Sequence, residues 1–279
     1  MSPVAGASNP IDISRLTEAQ ATLLMPLWAR ACESRQPQPL LRDAKAEEIV
    51  SRLDFDFGRF ERQNVSSLDY CIRAAVIDQM VAEFIAQHAE ATVVEIGAGL
   101  DTRFDRLDNG RVTWIELDLP EVMKVRKRFF EESARRIMLA DSLLNDTWLE
   151  QVAARQPGPL LFVAEGVFYF FERADIQRVL SGLADRFPNS GIVFDAQSPL
   201  FLRVSQWRHP MRDARLLFSV GNPSQITGWD ARFQLRRVVG FGDRPYYDKC
   251  LKRVSTLRRW GRRLFPPVRQ LFKIIHLVW

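Results

Sequence analysis

The stretch VVEIGAGLDTR, residues Val93 to Arg103, decides the fold class. Its first half is short, apolar and β-branched around Glu95, and a turn signal follows at once. That is the pattern of a buried strand. Gly97 and Gly99, on either side of Ala98, let the main chain turn sharply and approach a ligand with no Cβ in the way. A second strand-like run, Val112 to Leu117, ends at Asp118. From Gly97 to Asp118 is 21 residues, the spacing of a βαβ nucleotide site whose acid after the second strand takes the ribose hydroxyls.

The glycine pattern also bears on which nucleotide is bound. A dinucleotide fingerprint places a third glycine at G-x-G-x-x-G, and here that position is Thr102. Glu95 stands two residues before the first glycine, and an acid at the cofactor suits a cationic ligand better than a diphosphate. The pattern E-x-G-x-G resembles the first motif of class I S-adenosylmethionine (SAM) methyltransferases. A purely structural glycine turn would account for Gly97 and Gly99, but less well for both acids at this spacing.

Working outward, Leu68, Ile72, Val76, Met80 and Phe84 recur every four residues and predict a long helix over 68–88. Helices are also expected over 14–31 and 40–53, separated by the loop around Pro37 and Pro39. Downstream the units alternate. Strand 92–96 is followed by a short helix, strand 111–117, and a helix that Pro120 opens and that runs to about Ser133. Strand 137–140 ends at Asp141, strand 159–164 ends at Glu165, and a helix over 173–187 leads to strand 191–196. Such alternation predicts a Rossmann-like α/β fold, with a mostly parallel central sheet and helices on both faces. Residues 199–232, rich in Trp, Arg and Pro, read as an irregular, lid-like insertion, and 233–241 as a late strand. The expected division is an N-terminal helical cap over 1–90 packed on a catalytic domain over 91–248, then a basic amphipathic tail over 249–279.

Composition fits an enzyme-sized globule. The 279 residues are 47% hydrophobic and 26% charged, enough for one large α/β domain with additions. No apolar run has the length of about 18 residues that a membrane helix needs. The N-terminal MSPVAGASNPID lacks the basic-then-apolar pattern of a secretory signal. Cys32, Cys71 and Cys250 are odd in number and widely spaced, which suits a reducing compartment, so a cytoplasmic location is expected. His88, His209 and His276 lie far apart, no Cys/His cluster has ligand spacing, and no metal site is expected.

The net charge of +5 is unevenly placed. Lys249 to Trp279 holds nine Lys or Arg and no acid, leaving 30 basic against 34 acidic residues elsewhere. Within it Leu251, Val254, Leu257, Trp260 and Leu264 recur at helical spacing, with Arg258, Arg259, Arg262 and Arg263 between them. That pattern suits an RNA- or membrane-associated SAM-binding protein, or an element whose apolar stripe packs on the body while its arginines face water. The packed element is the simpler account. No RNA-binding module is visible, so nucleic acid is not favoured; peripheral membrane contact through the tail stays open.

Several segments, in order, are similar to one family. PLLRDAKAEEIVSRLDFDF, VVEIGAGLDTRFDRL, WIELDLPEVMKVRKRFF, ADSLLNDTW, LFVAEGVFYFF, FDAQSP and LFSVGNPSQITGW resemble the leucine carboxyl methyltransferase family. Within it they resemble the branch of bacterial polyketide O-methyltransferases of the tetracenomycin type. The resemblance spans roughly residues 38–245 and implies SAM as cofactor. By that resemblance Arg73, in YCIRAAVID, grips the SAM carboxylate. Glu95, Gly97 and Gly99 form the methionine-side turn, Asp118 is the ribose acid, Asp141 and Ser142 lie beside the adenine, and Glu165 lies near the cofactor amine. Ala98 and Leu119 complete the candidate cofactor set.

The same resemblance implies methylation of a small acidic, polyketide-like molecule at oxygen, by in-line transfer. None of the matched segments contains a histidine. A carboxylate acceptor, with a pKa of about 4, is ionised at neutral pH and needs no general base, whereas a phenol near 10 does. The family usually reads E-G-V-L-M-Y; here Phe170 takes the tyrosine's place and Tyr169 precedes it. A strand would turn these two to opposite faces, whereas a loop would let Tyr169 substitute. Tyr169, Phe170, Trp207 and His209 are the candidate substrate contacts, and Arg203, Arg208 or Arg212 could pair with a substrate anion. No catalytic residue is assigned.

Overall fold

A computed structural model describes residues 22–62, 67–156, 158–208, 215–240, 243 and 271–279. Seven strands form one sheet in the order β3-β2-β1-β4-β5-β7-β6. They are β1 (Thr92–Ile96), β2 (Thr113–Asp118), β3 (Arg136–Ala140), β4 (Leu160–Ala164), β5 (Gly191–Gln197), β6 (Gln234–Gly240) and β7 (Phe272–Val278). β1 to β5 run parallel, while β7 lies antiparallel between β5 and β6. The chain steps from β1 through β2 to β3, then crosses back to lay β4 on the other side of β1. This reversal leaves a crevice outside the carboxyl ends of β1 and β4, where open α/β sheets bind their ligands.

Nine helices are described: α1 (Leu24–Ser34), α2 (Ala44–Arg52), α3 (Gly58–Arg62), α4 (Ser67–Gln87), α5 (Arg103–Leu107), α6 (Pro120–Arg126), α7 (Thr147–Ala153), α8 (Arg173–Arg186) and α9 (Pro199–Arg208). The pleat sends alternate side chains to opposite faces. Val94, Ile96, Ile115, Phe162, Ile192, Phe194 and Leu277 point to one face and pack with Trp148 and Val152 of α7 and Ile176, Leu180 and Leu183 of α8. Val93, Trp114, Leu161, Val193 and Ile274 point to the other and meet Ile72, Val76, Ile77, Met80 and Val81 of α4. Toward the carboxyl edge this second face changes character, because the next inward positions are Glu95, Glu116 and Asp195, all buried. A third cluster joins α1, α2 and α3 to Leu100, Met123, Phe129, Phe130 and Met138, which seats the N-terminal helices beside the turn after β1.

The alternating β-α units and the long helix ending at Gln87 stand where the periodicity puts them. Three readings change. Phe272–Val278 is an interior strand, not part of a tail, and Ile274, Ile275 and Leu277 in it are fully buried. A strand covered on both faces shows no alternation, so the basic residues upstream masked it. The stretch from 199, read as irregular and lid-like, contains α9, a 3-10 turn over Pro223–Gly228, and a pinned wall at 216–220. There Val220 N donates to Gln197 O and Leu217 N to Tyr169 O, and alternate residues Leu216, Phe218 and Val220 are buried. The helix opened by Pro120 stops at Arg126 rather than near Ser133, because Phe129 and Phe130 turn down into the N-terminal cluster. Residues 14–21 of the first expected helix, and the amphipathic run Leu251 to Leu264, lie outside the described residues. Among the described residues no helix is long and apolar enough to cross a membrane.

If β7 completes the sheet interior, Ile275→Ala should destabilise the fold by about 2–5 kcal/mol. Urea unfolding measures this, and an unchanged midpoint would remove Ile275 from the core.

Candidate cofactor site

Backbone geometry builds the first half of the site. Gly97 and Gly99 have φ of 66° and 48°, the left-handed region that favours glycine. A Cβ at Gly97 would lie 2.4 Å from Val167 Cγ2, so the turn after β1 closes against the turn after β4. Gly97 N and Ala98 N donate to Leu117 O at 2.7 and 3.0 Å, and Asp141 N donates to Asp118 O at 3.0 Å. Gly99 N and Leu119 N each donate to one Asp118 carboxylate oxygen at 2.7 Å. These bonds stitch the ends of β1, β2 and β3 together. Burial pushes the Asp118 carboxyl up, against the pull of the two N–H donors. Each of its oxygens keeps acceptor capacity for another donor. Beside it, Leu119 is 39% exposed and offers an apolar surface at the mouth. Asp141 accepts from Ser142 N at 2.8 Å, Asn145 Nδ2 at 2.6 Å and the Thr147 hydroxyl, which holds the 141–147 turn. Burial would raise its carboxyl, but these bonds hold it below its ordinary value.

Buried ion pairs build the second half. Arg73 lies on the sheet-facing side of α4, one turn before Ile77. Its Nε meets Glu165 Oε1 at 2.8 Å and its Nη1 meets Asp195 Oδ2 at 3.0 Å. Burial opposes the charge of Arg73, but Glu165 and Asp195 outweigh it and hold the group ionised. The other Glu165 oxygen pairs with Arg103, which also pairs with Glu95, with Asp78 at 2.7 Å and with Asp101 at 3.0 Å. Glu95 is 2% exposed, and its second oxygen accepts from Trp114 Nε1 at 3.3 Å. Burial pushes its carboxyl up and Asp101 adds to the rise, while Arg103 and Arg126 oppose it. The sequence offers Glu95 as an acid for a cationic ligand; the structure gives that acid to Arg103. Among the described residues no group of His, Cys, Asp and Glu is arranged to hold a metal ion.

The N-terminal helices join this network. Asp43 caps α2 by accepting from Ala46 N at 2.9 Å, and its Oδ2 takes Arg30 Nε at 2.9 Å, the Thr102 hydroxyl at 2.5 Å and Arg106 Nη1 at 3.1 Å. Thr102, at the third-glycine position, thus ties the glycine turn to the N-terminal helices. Arg126 is fully buried; it pairs with Glu116, and its Nη1 donates to Ala98 O at 3.2 Å, Gly99 O at 2.9 Å and Asp101 O at 2.9 Å. Of these side-chain partners only Thr102 was singled out by the sequence, and there as the residue in place of a third glycine. For the other half of the site a signal was available: Asp195 lies inside the apolar run Ile-Val-Phe-Asp-Ala, and an acid there needs a buried cation, which is Arg73.

The candidate substrate contacts separate. Residues Phe168–Phe170 form a 3-10 turn rather than a strand, so the strand argument about opposite faces does not apply. Tyr169 is buried, and its hydroxyl donates to Asp195 Oδ2 at 2.6 Å. Burial pushes that hydroxyl well up, and Asp195 adds to the rise. Phe170 is half-buried and packs toward the N-terminal cluster. Arg203 is exposed on α9. The side chains of Trp207 and Arg208, and all of His209 and Arg212, lie outside the described residues.

A glycine turn locked to an acid at the end of β2 and an arginine–carboxylate cluster thus flank the switch-point crevice. Residues 23–184 match the family model of leucine carboxyl methyltransferase, and the chain belongs to that family. It is 31% identical over 267 residues to the tetracenomycin polyketide synthesis O-methyltransferase TcmP of Streptomyces glaucescens, covering 94% of this chain and 97% of that one. It is 29% identical over 225 residues to the S-adenosyl-L-methionine-dependent methyltransferase dpfgK of Gibberella zeae, covering 73% and 75%. A crystal structure of a methyltransferase-like protein from Thermobifida fusca YX superposes with a TM-score of 0.55 at 14% identity, over 90% of this chain and 93% of that one, and shows the shared fold.

The Asp43 junction has a stability consequence. Burial would raise its carboxyl, but Arg30 and Arg106 outweigh that and hold it below the ordinary value. Its contribution is therefore present above the unfolded aspartate pKa of about 3.9 and is lost as pH falls through the folded value. Asp43→Asn should cost about 3–5 kcal/mol at neutral pH by leaving two buried guanidiniums short of a partner. Urea midpoints from pH 7 to 3 should show the gap between wild type and variant narrowing at the acid end; a constant gap would assign the effect to packing.

Proposed function

We propose that this methyltransferase transfers the methyl group of SAM to oxygen of a small acidic molecule, a carboxylate or acidic hydroxyl on a polyketide-like acceptor. One observation carries the acidic part. Glu95, Glu165 and Asp195 each pair with Arg73 or Arg103, and the Tyr169 hydroxyl donates to Asp195. These three acids are engaged by arginines rather than free to act as a general base, which suits an acceptor that arrives already ionised. The likeness to the tetracenomycin polyketide synthesis O-methyltransferase of Streptomyces glaucescens supports oxygen as the target and a polyketide as the class.

SAM supplies a methyl group that its own sulfonium already activates. The work of the chain is then to hold and orient. Asp118 would take the ribose hydroxyls, with Leu119, Asp141 and Ser142 around the adenine. The Gly97-Ala98-Gly99 turn would pass under the methionine side. Arg73 has five N–H donors, more than its two acids occupy, and would take the SAM carboxylate. Glu165 retains acceptor sites beyond its two guanidinium contacts and would take the amine. Glu95 would act through Arg103. Alignment of nucleophile and methyl group by such anchoring can supply about 7–11 kcal/mol of barrier reduction.

Asp118→Ala should raise the SAM dissociation constant about tenfold to a hundredfold, since hydrogen bonds to a charged group contribute about 1.5–3 kcal/mol. Calorimetry on a variant shown to be folded by circular dichroism measures it, and unchanged affinity refutes the ribose assignment. For the reaction itself, methyl-labelled SAM with candidate acids should leave label on oxygen. A carboxylate acceptor should give a rate nearly flat from about pH 6 to 8, and a phenol one that rises with pH. Label on nitrogen, carbon or RNA would sink the proposal.

A further inference from the structure

We propose that Asp195 is a positioning residue for the amino-acid end of SAM, an inference that rests on the assignment of Arg73 to the cofactor carboxylate. Asp195 sits on β5 between Phe194 and Ala196 and is completely buried. A carboxylate so enclosed is tolerated only when its charge and lone pairs are met. Three donors meet it, one from α4 and two from the connection that follows β4. Arg73 Nη1 of α4 lies 3.0 Å from Oδ2, the Tyr169 hydroxyl of the 3-10 turn lies 2.6 Å from the same oxygen, and Gly166 N lies 2.7 Å from Oδ1.

Two consequences follow from that geometry. A guanidinium is a planar fork, so contacts on two different nitrogens fix its rotation as well as its place. Glu165 holds Nε and Asp195 holds Nη1; with Glu165 alone, Arg73 could pivot about a single contact. Gly166 is left-handed at φ 73°, and a Cβ there would lie 3.4 Å from both terminal nitrogens of Arg73. By holding Gly166 N, Asp195 also sets the turn that begins at Glu165. One buried carboxylate therefore places both the cation assigned to the SAM carboxylate and the acid assigned to its amine. Tyr169 is the third support of this arrangement, which explains a buried tyrosine where a substrate contact was expected.

The test compares two ligands that differ at that end. S-adenosylhomocysteine carries the amino-acid carboxylate and amine; 5′-methylthioadenosine, a nucleoside thioether, lacks both. Calorimetry on the full chain should show Asp195→Asn weakening S-adenosylhomocysteine about tenfold while 5′-methylthioadenosine changes less than about twofold. Equal weakening of both ligands would mark a general structural role and overturn the inference, as would no weakening of either. Arg73→Lys, measured beside it, separates the two levels. If Arg73→Lys weakens S-adenosylhomocysteine and Asp195→Asn does not, only the role of Asp195 fails. If Arg73→Lys leaves S-adenosylhomocysteine unchanged, the carboxylate assignment fails and the inference with it. Should Asp195→Asn not fold, Tyr169→Phe, which removes one donor from Oδ2, carries the same comparison. It is expected to weaken S-adenosylhomocysteine about threefold and leave 5′-methylthioadenosine unchanged, and equal effects on both ligands would again overturn the role.

Discussion

A guanidinium stays charged in a protein, so each one withdrawn from water has to be met by carboxylates or carbonyls. Arg30, Arg103, Arg106 and Arg126 are all so withdrawn, and all four converge on the turn after β1. Arg126 gathers three carbonyls of that turn, and Arg30 Nη2 donates to Leu100 O at 3.0 Å. Arg103 and Arg106 share Asp78 and Asp101. The glycine turn owes its shape to its own backbone freedom and its position to these cations. Removing any one partner leaves a buried charge exposed to a low dielectric, which is why the network ties the fold together so tightly.

The same requirement explains why the N-terminal helices are fastened to the glycine turn. Asp43 begins α2, yet the groups it holds are Arg30 of α1, Thr102 after the glycine turn and Arg106 of α5. The cap is therefore fastened to the turn by charge as well as by the cluster around Trp28, Phe60 and Leu100. A third glycine at position 102 would lack the hydroxyl that makes this junction.

On the opposite side of the crevice the requirement is met by Glu165 and Asp195 around Arg73. The consequence for chemistry is a site whose polar groups are largely committed before any ligand arrives. Preorganisation of this kind favours holding and aligning reactants over moving protons. It accords with a methyl donor that carries its own activation and with the ionised acceptor we propose. The departure at Tyr169 and Phe170 fits the same picture, since the hydroxyl one residue early is spent on Asp195 rather than turned to the crevice.

Local pattern alone determined the class of fold: β-α alternation, the long helix at four-residue spacing, Gly97 and Gly99 at the end of β1, and Asp118 at the end of β2. Those features depend on periodicity and on backbone freedom, which are properties of neighbours in sequence. Tertiary structure alone decided the partners of the charges. Arg73 meets Asp195 across 122 positions and Glu165 across 92, and no local rule pairs residues so far apart. It also decided the fate of Phe272–Val278. An interior strand covered on both faces carries no alternation to read, and only the open edges of β5 and β6 gave that segment its place.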